Sequence, residues 1–368
     1  LGSGIFSALL IFVFISWLLG YIFNTQGLVK HKTNLFVVIF TLFVVISLSV
    51  AEVQKLAVEQ FIEYLKTLVI YFLIVNLVDS KKILEYIYFT IVGVSTLLSL
   101  YAIYKFFGSV EAAMRLGVGE RDPNLFAIVI LTAIPIAVSL MKIQKNLFLR
   151  FVLLGCTMIL TATIFMTFSR GGMIALGAIM LWIVYNERKR KFFSVFFVLL
   201  LLVLIYFFIT QFGEYKELIR LVTKDRSFLQ RLNLYKGGIK MFLSHPIFGV
   251  GLGNFIVWST KYSGLVMSLY AHNIFLHIAA ETGIGGLISY CLILGSAWFS
   301  VLKSQKIAIQ SNDDKFTNLI VGLKISMFGF LTAGLFLSQH LSKVLWILLG
   351  LSVAISIITK EKHEPEIK

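Results

Sequence analysis

His272 and Asn273 stand directly ahead of a long apolar run, and Gly283, Ile284, Gly285 and Gly286 follow after a gap of nine residues. Histidine titrates near neutral pH, so an imidazole at a membrane surface can take the proton of an attacking hydroxyl. The competing reading of His272 is an interfacial residue that caps a helix. Arg231 has Arg226 and Arg220 for near neighbours, and the guanidinium fork matches the oxygens of a diphosphate. Contact with solvent or lipid headgroups is the plainer reading of each. Arg170 lies in Phe168-Ser169-Arg170-Gly171-Gly172, between two apolar runs with almost no loop. A charge there is costly unless it is paired, functional or snorkelled to the headgroups.

Other groups carry weaker signals. Asp122-Pro123-Asn124 reads first as the cap of the helix starting at Asn124. With Glu120, Asp122 also forms an acidic pair able to hold a divalent ion. Gly249, Gly251 and Gly253 form a tight-turning segment after Pro246. No strand precedes them, which rules out a dinucleotide loop. His277 and Glu281 are one helical turn apart and read as a buried hydrogen-bonded pair. His272 and His277 lack zinc-protease spacing and a third ligand.

The elements that must position these residues are membrane helices. Of the 368 residues, 58% are hydrophobic and only 14% charged, where a soluble domain has roughly a quarter charged. Mean hydropathy is +0.91. The apolar residues come in runs of about 18 or more, the length of a bilayer-spanning helix. They do not alternate as barrel strands do. The expected fold is all-α and polytopic, with about eleven spans. They fall near 5–23, 33–50, 64–78, 83–107, 124–141, 148–168, 171–185, 192–210, 274–301, 316–338 and 342–359. Leu1 is not a start methionine, and one missing N-terminal span would bring the total to about twelve. Cys156 and Cys291 both lie in apolar runs, so no disulfide framework is expected.

Alternate loops are basic. Those near 30, 81, 145, 189 and 306, with the C-terminal tail, hold 17 of the 33 Lys and Arg residues. The positive-inside rule assigns that set to the cytoplasm. The net charge of +15 then reflects topology and implies no nucleic acid. Residues 211–273 become a large extracytoplasmic loop between helices within 1–210 and 274–368, all one membrane domain. From Gln211 to Ala271 this loop has eight basic residues and three acidic ones, against the usual trend, which suits an anionic ligand at the outer leaflet. Phe228, Leu232, Tyr235, Ile239 and Phe242 recur at helical spacing, with Lys236 and Lys240 away from that stripe. They predict an amphipathic helix lying in the interface, apolar side down.

His272-Asn273, the nine-residue gap and Gly283-Ile284-Gly285-Gly286 together resemble the histidine motif of bacterial O-antigen ligases. Arg231, the loop helix, His245-Pro246 and Gly249-Val250-Gly251 resemble the preceding stretch in the O-antigen ligase and polymerase superfamily. Ser169-Arg170-Gly171 and Pro123-Asn124 resemble two further signatures, so the similarity covers about residues 110–300. The resemblance implies a GT-C type membrane glycosyltransferase of the bacterial cytoplasmic membrane, acting on its outer face. Its implied donor is a glycan on undecaprenyl diphosphate. Its implied acceptor is lipid A-core for a ligase, or a carrier-linked repeat unit for a polymerase. His272 would be the general base, and Arg170 with Arg231, or Arg226 in its place, would bind the diphosphate. Asn273, Asn124, Gly249, Gly251 and Glu281 would support them. The implied mechanism is inverting and uses no metal and no cofactor. A polysaccharide-lipid transporter is the rival from another class, but no internal repeat is visible and the charges cluster at one surface.

Overall fold

The computed structural model describes residues 2–24, 29–108, 122–186 and 226–363. Short polar residues start many of its helices. Asp122 accepts from the Asn124 amide at 2.8 Å, with Pro123 in the first turn. Asn146 accepts from the amides of Phe148 and Leu149, and His31 Nδ1 from that of Thr33. These side chains satisfy amides that the first turn leaves without a partner.

The described residues form helices and no strands. In chain order these are α1 (Gly2–Asn24), α2 (Lys32–Leu48), α3 (Gln54–Leu77), α4 (Lys81–Gly108), α5 (Pro123–Ile143), α6 (Leu147–Met166) and α7 (Arg170–Asn186). After the undescribed stretch come α8 (Arg226–Ser244), α9 (Phe255–Ser263), α10 (Ile274–Gln310), α11 (Asp314–Gly334) and α12 (Lys343–His363). Six of them, α4, α5, α6, α10, α11 and α12, are long and apolar enough to cross a membrane. Shorter apolar helices lie within α1, α2 and α7. The all-α membrane architecture holds. The count of about eleven spans does not follow from these six, and the span expected at 192–210 lies outside the described residues.

The chain packs as two units. The first comprises Leu1–Leu84, Leu234–Ile320 and Gln339–Lys368. In it α10 packs on α2 and α12, and α12 packs on α3. An aromatic cluster joins these helices. Tyr64 lies edge-on to Phe40 and to Trp346, with ring centroids 5.7 and 5.6 Å apart. Tyr71 meets Trp346 at 5.8 Å. The hydroxyls find partners, Tyr71 donating to Asn34 at 2.6 Å and Tyr64 bonding Thr41 at 2.7 Å. Between membrane helices such packing and polar contacts replace the hydrophobic effect as the source of cohesion.

The second unit comprises Glu85–Asn233 and Val321–Ser338. Its centre is α5, buried along nearly its whole length from Phe126 to Met141. Small residues bring the surrounding helices close. A side-chain carbon on Gly172 would sit 2.9 Å from Ala127, and Ser326 donates to the Thr132 carbonyl at 2.7 Å.

Candidate active site

The start of α10 is built around Asn273. Its side-chain oxygen accepts from the amides of Phe275 and Leu276, both at 3.0 Å. Asn273 is therefore the cap, and His272 stands one residue ahead of it. Capping therefore falls to the neighbour of His272. His272 is half-buried and has a left-handed backbone, φ 52°, a conformation that costs a non-glycine residue about 1–3 kcal/mol. The Tyr235 hydroxyl on α8 donates to the His272 carbonyl at 3.2 Å. That bond ties the strained residue to the loop helix.

Helix α8 forms where the sequence predicts it, and the face that packs inward is the one opposite the bulky stripe. Leu234, Gly237, Gly238 and Met241 are buried, while Leu232 and Ile239 of the expected stripe are exposed with Leu229 and Leu243. Lys236 and Lys240 are also exposed, on this outward face. The reason is close approach. Side-chain carbons on Gly237 and Gly238 would meet Ser263 at 3.0 Å and Leu276 at 2.8 Å. Glycine has no hydrophobic signal, so a stripe of bulky residues marks the outward face instead. The exposed leucines and Ile239 suit contact with the lipid interface.

Beyond its first turns α10 breaks at Gly283, where φ is 70° and ψ −167°. Residues 246–251 repair the break. Val250 donates to the Ala280 carbonyl at 2.8 Å and Gly251 to that of Glu281 at 3.1 Å. Ile284 donates to the Pro246 carbonyl at 2.8 Å. A side chain on Gly249 would collide with the Glu281 backbone, and one on Gly283 with that of Ile247. The Gly249-Val250-Gly251 and Gly283 motifs are two halves of one backbone joint. Asn254 extends it, accepting from the Val53 amide at 2.8 Å.

Glu281 anchors the underside of this joint. One carboxylate oxygen accepts from the Phe255 amide at 3.0 Å and lies 3.1 Å from His277 Nε2. The other lies 4.0 Å from His340 Nε2. All three side chains are buried. His277 and Glu281 pair one turn apart as expected, and the structure adds His340, far away in sequence. His340, more than fifty residues on along the chain, brings a third potential metal donor, and the three ligand atoms lie within 4.8 Å of one another. Metal-bound histidines nearly always fix the other ring nitrogen with a hydrogen bond. Here Nδ1 of His277 and of His340 are buried without one. Glu281 thus clamps His277 by a hydrogen bond, with His340 4.0 Å from its other oxygen. Glu281→Ala would strand the Phe255 amide and the His277 imidazole. It should lower stability by on the order of 3 kcal/mol, read as a fall in melting temperature in detergent.

In the second unit, Arg170 is exposed and is the first residue of α7. The turn before it is as tight as the sequence implies. Thr167 accepts from the Ser169 amide at 3.2 Å, Phe168 is left-handed at φ 50°, and Ser169 accepts from the Gly172 amide at 3.2 Å. Asn124 is largely buried and donates to Asp122 at 2.7 Å. Asp122 is thus committed to capping, while Glu120 lies outside the described residues. Arg231 is half-buried on α8, one turn before Tyr235, and Arg226 is the first residue of that helix. Arg220 and the side chain of Arg226 lie outside the described residues.

Residues 155–291 match the O-antigen ligase family. The O-antigen ligase match starts within α6 and ends within α10. It takes in Arg170, Arg231, the glycine joint and the whole stretch from His272 to Gly286, and it leaves out Asn124. Over this segment it agrees with the resemblance to the O-antigen ligase and polymerase superfamily that those motifs carry. A search of curated proteins finds no match.

Sequence reading missed Tyr235 as the holder of His272, the glycine face of α8, and His340. Only His340 left a sequence signal. It is a histidine in a short polar stretch, Ser338-Gln339-His340, between two apolar runs.

Proposed function

We propose that the chain is an O-antigen ligase-type glycosyltransferase of the bacterial cytoplasmic membrane. It moves a glycan from undecaprenyl diphosphate to lipid A-core on the outer face of that membrane. The observation that carries this reading is His272. It is released from helix capping by Asn273 and held through its carbonyl by Tyr235, inside the segment that matches the O-antigen ligase family.

In the proposed reaction, His272 takes the proton of the acceptor hydroxyl as that oxygen attacks the anomeric carbon. The bond from that carbon to the diphosphate oxygen breaks, and undecaprenyl diphosphate leaves with its electron pair. Attack from the opposite side inverts the anomeric centre. Arg170 and Arg231, with Arg226 as the alternative to Arg231, bind the diphosphate and stabilise its growing charge. Metal-free chemistry goes with this reading, since guanidinium groups do the work of a cation.

The test uses purified protein in liposomes with undecaprenyl-diphosphate glycan and two acceptors. Transfer to lipid A-core is expected, and it should persist in a chelator. Chain growth on the carrier instead would make the protein a polymerase of the same superfamily. Carrier movement across the membrane without transfer would replace the enzyme reading with transport.

A further inference from the structure

At the far end of α10 from His272 lies a groove of about 570 Å³ that none of the proposed chemistry uses. Past its break at Gly283, α10 rises about 1.5 Å per residue, so the stretch from Gly283 to Lys303 alone runs about 30 Å away from the His272 end. That matches the roughly 30 Å core of a bilayer. The groove belongs to the opposite membrane surface.

Its rim is cationic. Lys30, Lys32, Lys303 and Lys360 come from the α2 start, α10 and the α12 end, and all four are exposed. Among the described residues no acidic side chain pairs with them. Elsewhere in the same unit lysines do find carboxylates, as Lys81 does with Asp313 and Lys66 with Glu63. Four like charges gathered without a counter-ion repel one another, and an anion among them would relieve that cost. His31 sits in the same rim, its pKa held down by burial and by the Lys360 charge. Its Nδ1 accepts from the Thr33 amide, so the neutral ring carries its proton on Nε2, which lies 3.3 Å from Ser300 Oγ.

Below the rim the groove turns apolar. It follows α10 past Phe299 and Gly295 to Leu292. Phe299 and Leu292 are exposed, and a side-chain carbon on Gly295 would meet no atom within 4 Å. From Lys303 to Leu292 the helix rises about 16 Å. A free phosphate would occupy only the rim. A charged head followed by a hydrocarbon chain fills both parts, as in basic pockets between membrane helices that hold anionic headgroups.

We propose that this groove binds one anionic phospholipid, with its phosphate among Lys30, Lys32, Lys303 and Lys360 and an acyl chain along Gly295 and Leu292.

The test is native mass spectrometry of the full chain in neutral detergent. The probes are phosphatidylglycerol, phosphatidylcholine of the same chains, and inorganic phosphate. One phosphatidylglycerol should be retained and phosphatidylcholine should not. A Lys303→Ala, Lys360→Ala double variant should weaken retention by about 10- to 30-fold at roughly 1 kcal/mol per lysine, with melting temperature unchanged. Gly295→Leu should also expel the lipid, since it fills the trough where there is room for it, and should leave the lysines intact. Glycan transfer in detergent should not depend on either change. Equal retention of both lipids, or full retention by the double variant, overturns the proposal. Displacement of phosphatidylglycerol by millimolar phosphate would also overturn it, by showing a site for a soluble anion.

Discussion

Replacing His272 should abolish glycan transfer while leaving the protein folded. A positioned general base contributes about 10²–10⁴-fold to a rate, and the loss should fall in that range. The backbone at this residue is left-handed, which makes the choice of variant matter. Asparagine tolerates that conformation better than most residues. His272→Asn should therefore keep the fold and the tie to Tyr235, which uses only the carbonyl, yet supply no base. His272→Ala loses the base and adds some backbone cost. Both should lose transfer, and His272→Asn should retain the parental melting temperature. The pH–rate profile gives a second readout. A base must be deprotonated to act, so parental transfer should fall at acid pH, and the residual rate of His272→Asn should lack that limb. Full activity in either variant would remove His272 from the mechanism.

Arg170→Ala should cost transfer about 10²–10³-fold, the usual loss when one preorganised group that stabilises transition-state charge is removed. Arg170 is exposed and is the first residue of α7. Its guanidinium and the positive end of the helix dipole favour an anion at the same place. An exposed arginine contributes little to stability, so the variant should stay folded. Arg170→Lys keeps the charge but not the planar fork, and should recover only part of the rate. A structural role would not grade the three side chains in that order. Equal kcat/KM for all three would exclude Arg170 from diphosphate binding. The same series at Arg231 and at Arg226 would decide which of them acts with it.

Much of this was legible along the chain because lipid is a severe solvent. Every apolar run in the described residues became a helix, since backbone groups in a bilayer have no water to turn to. The breaks were legible for local reasons. Asp122-Pro123-Asn124 stops and restarts the chain by a cap, and Ser169 and Gly172 make the tight turn at Arg170 with their own atoms. The histidine motif was legible because its residues are neighbours in sequence.

What the sequence determined by itself was the all-helical membrane character of the chain and the types of residue at its helix ends, because hydropathy and capping act within a few residues. Only the tertiary structure decided which of two adjacent residues caps α10 and which face of α8 turns inward. It also decided how Gly249 and Gly283 share a joint and that His340 completes the Glu281 clamp. Those outcomes depend on how closely distant backbones approach. Glycines set that distance, and they carry no hydrophobic signal to be read in advance.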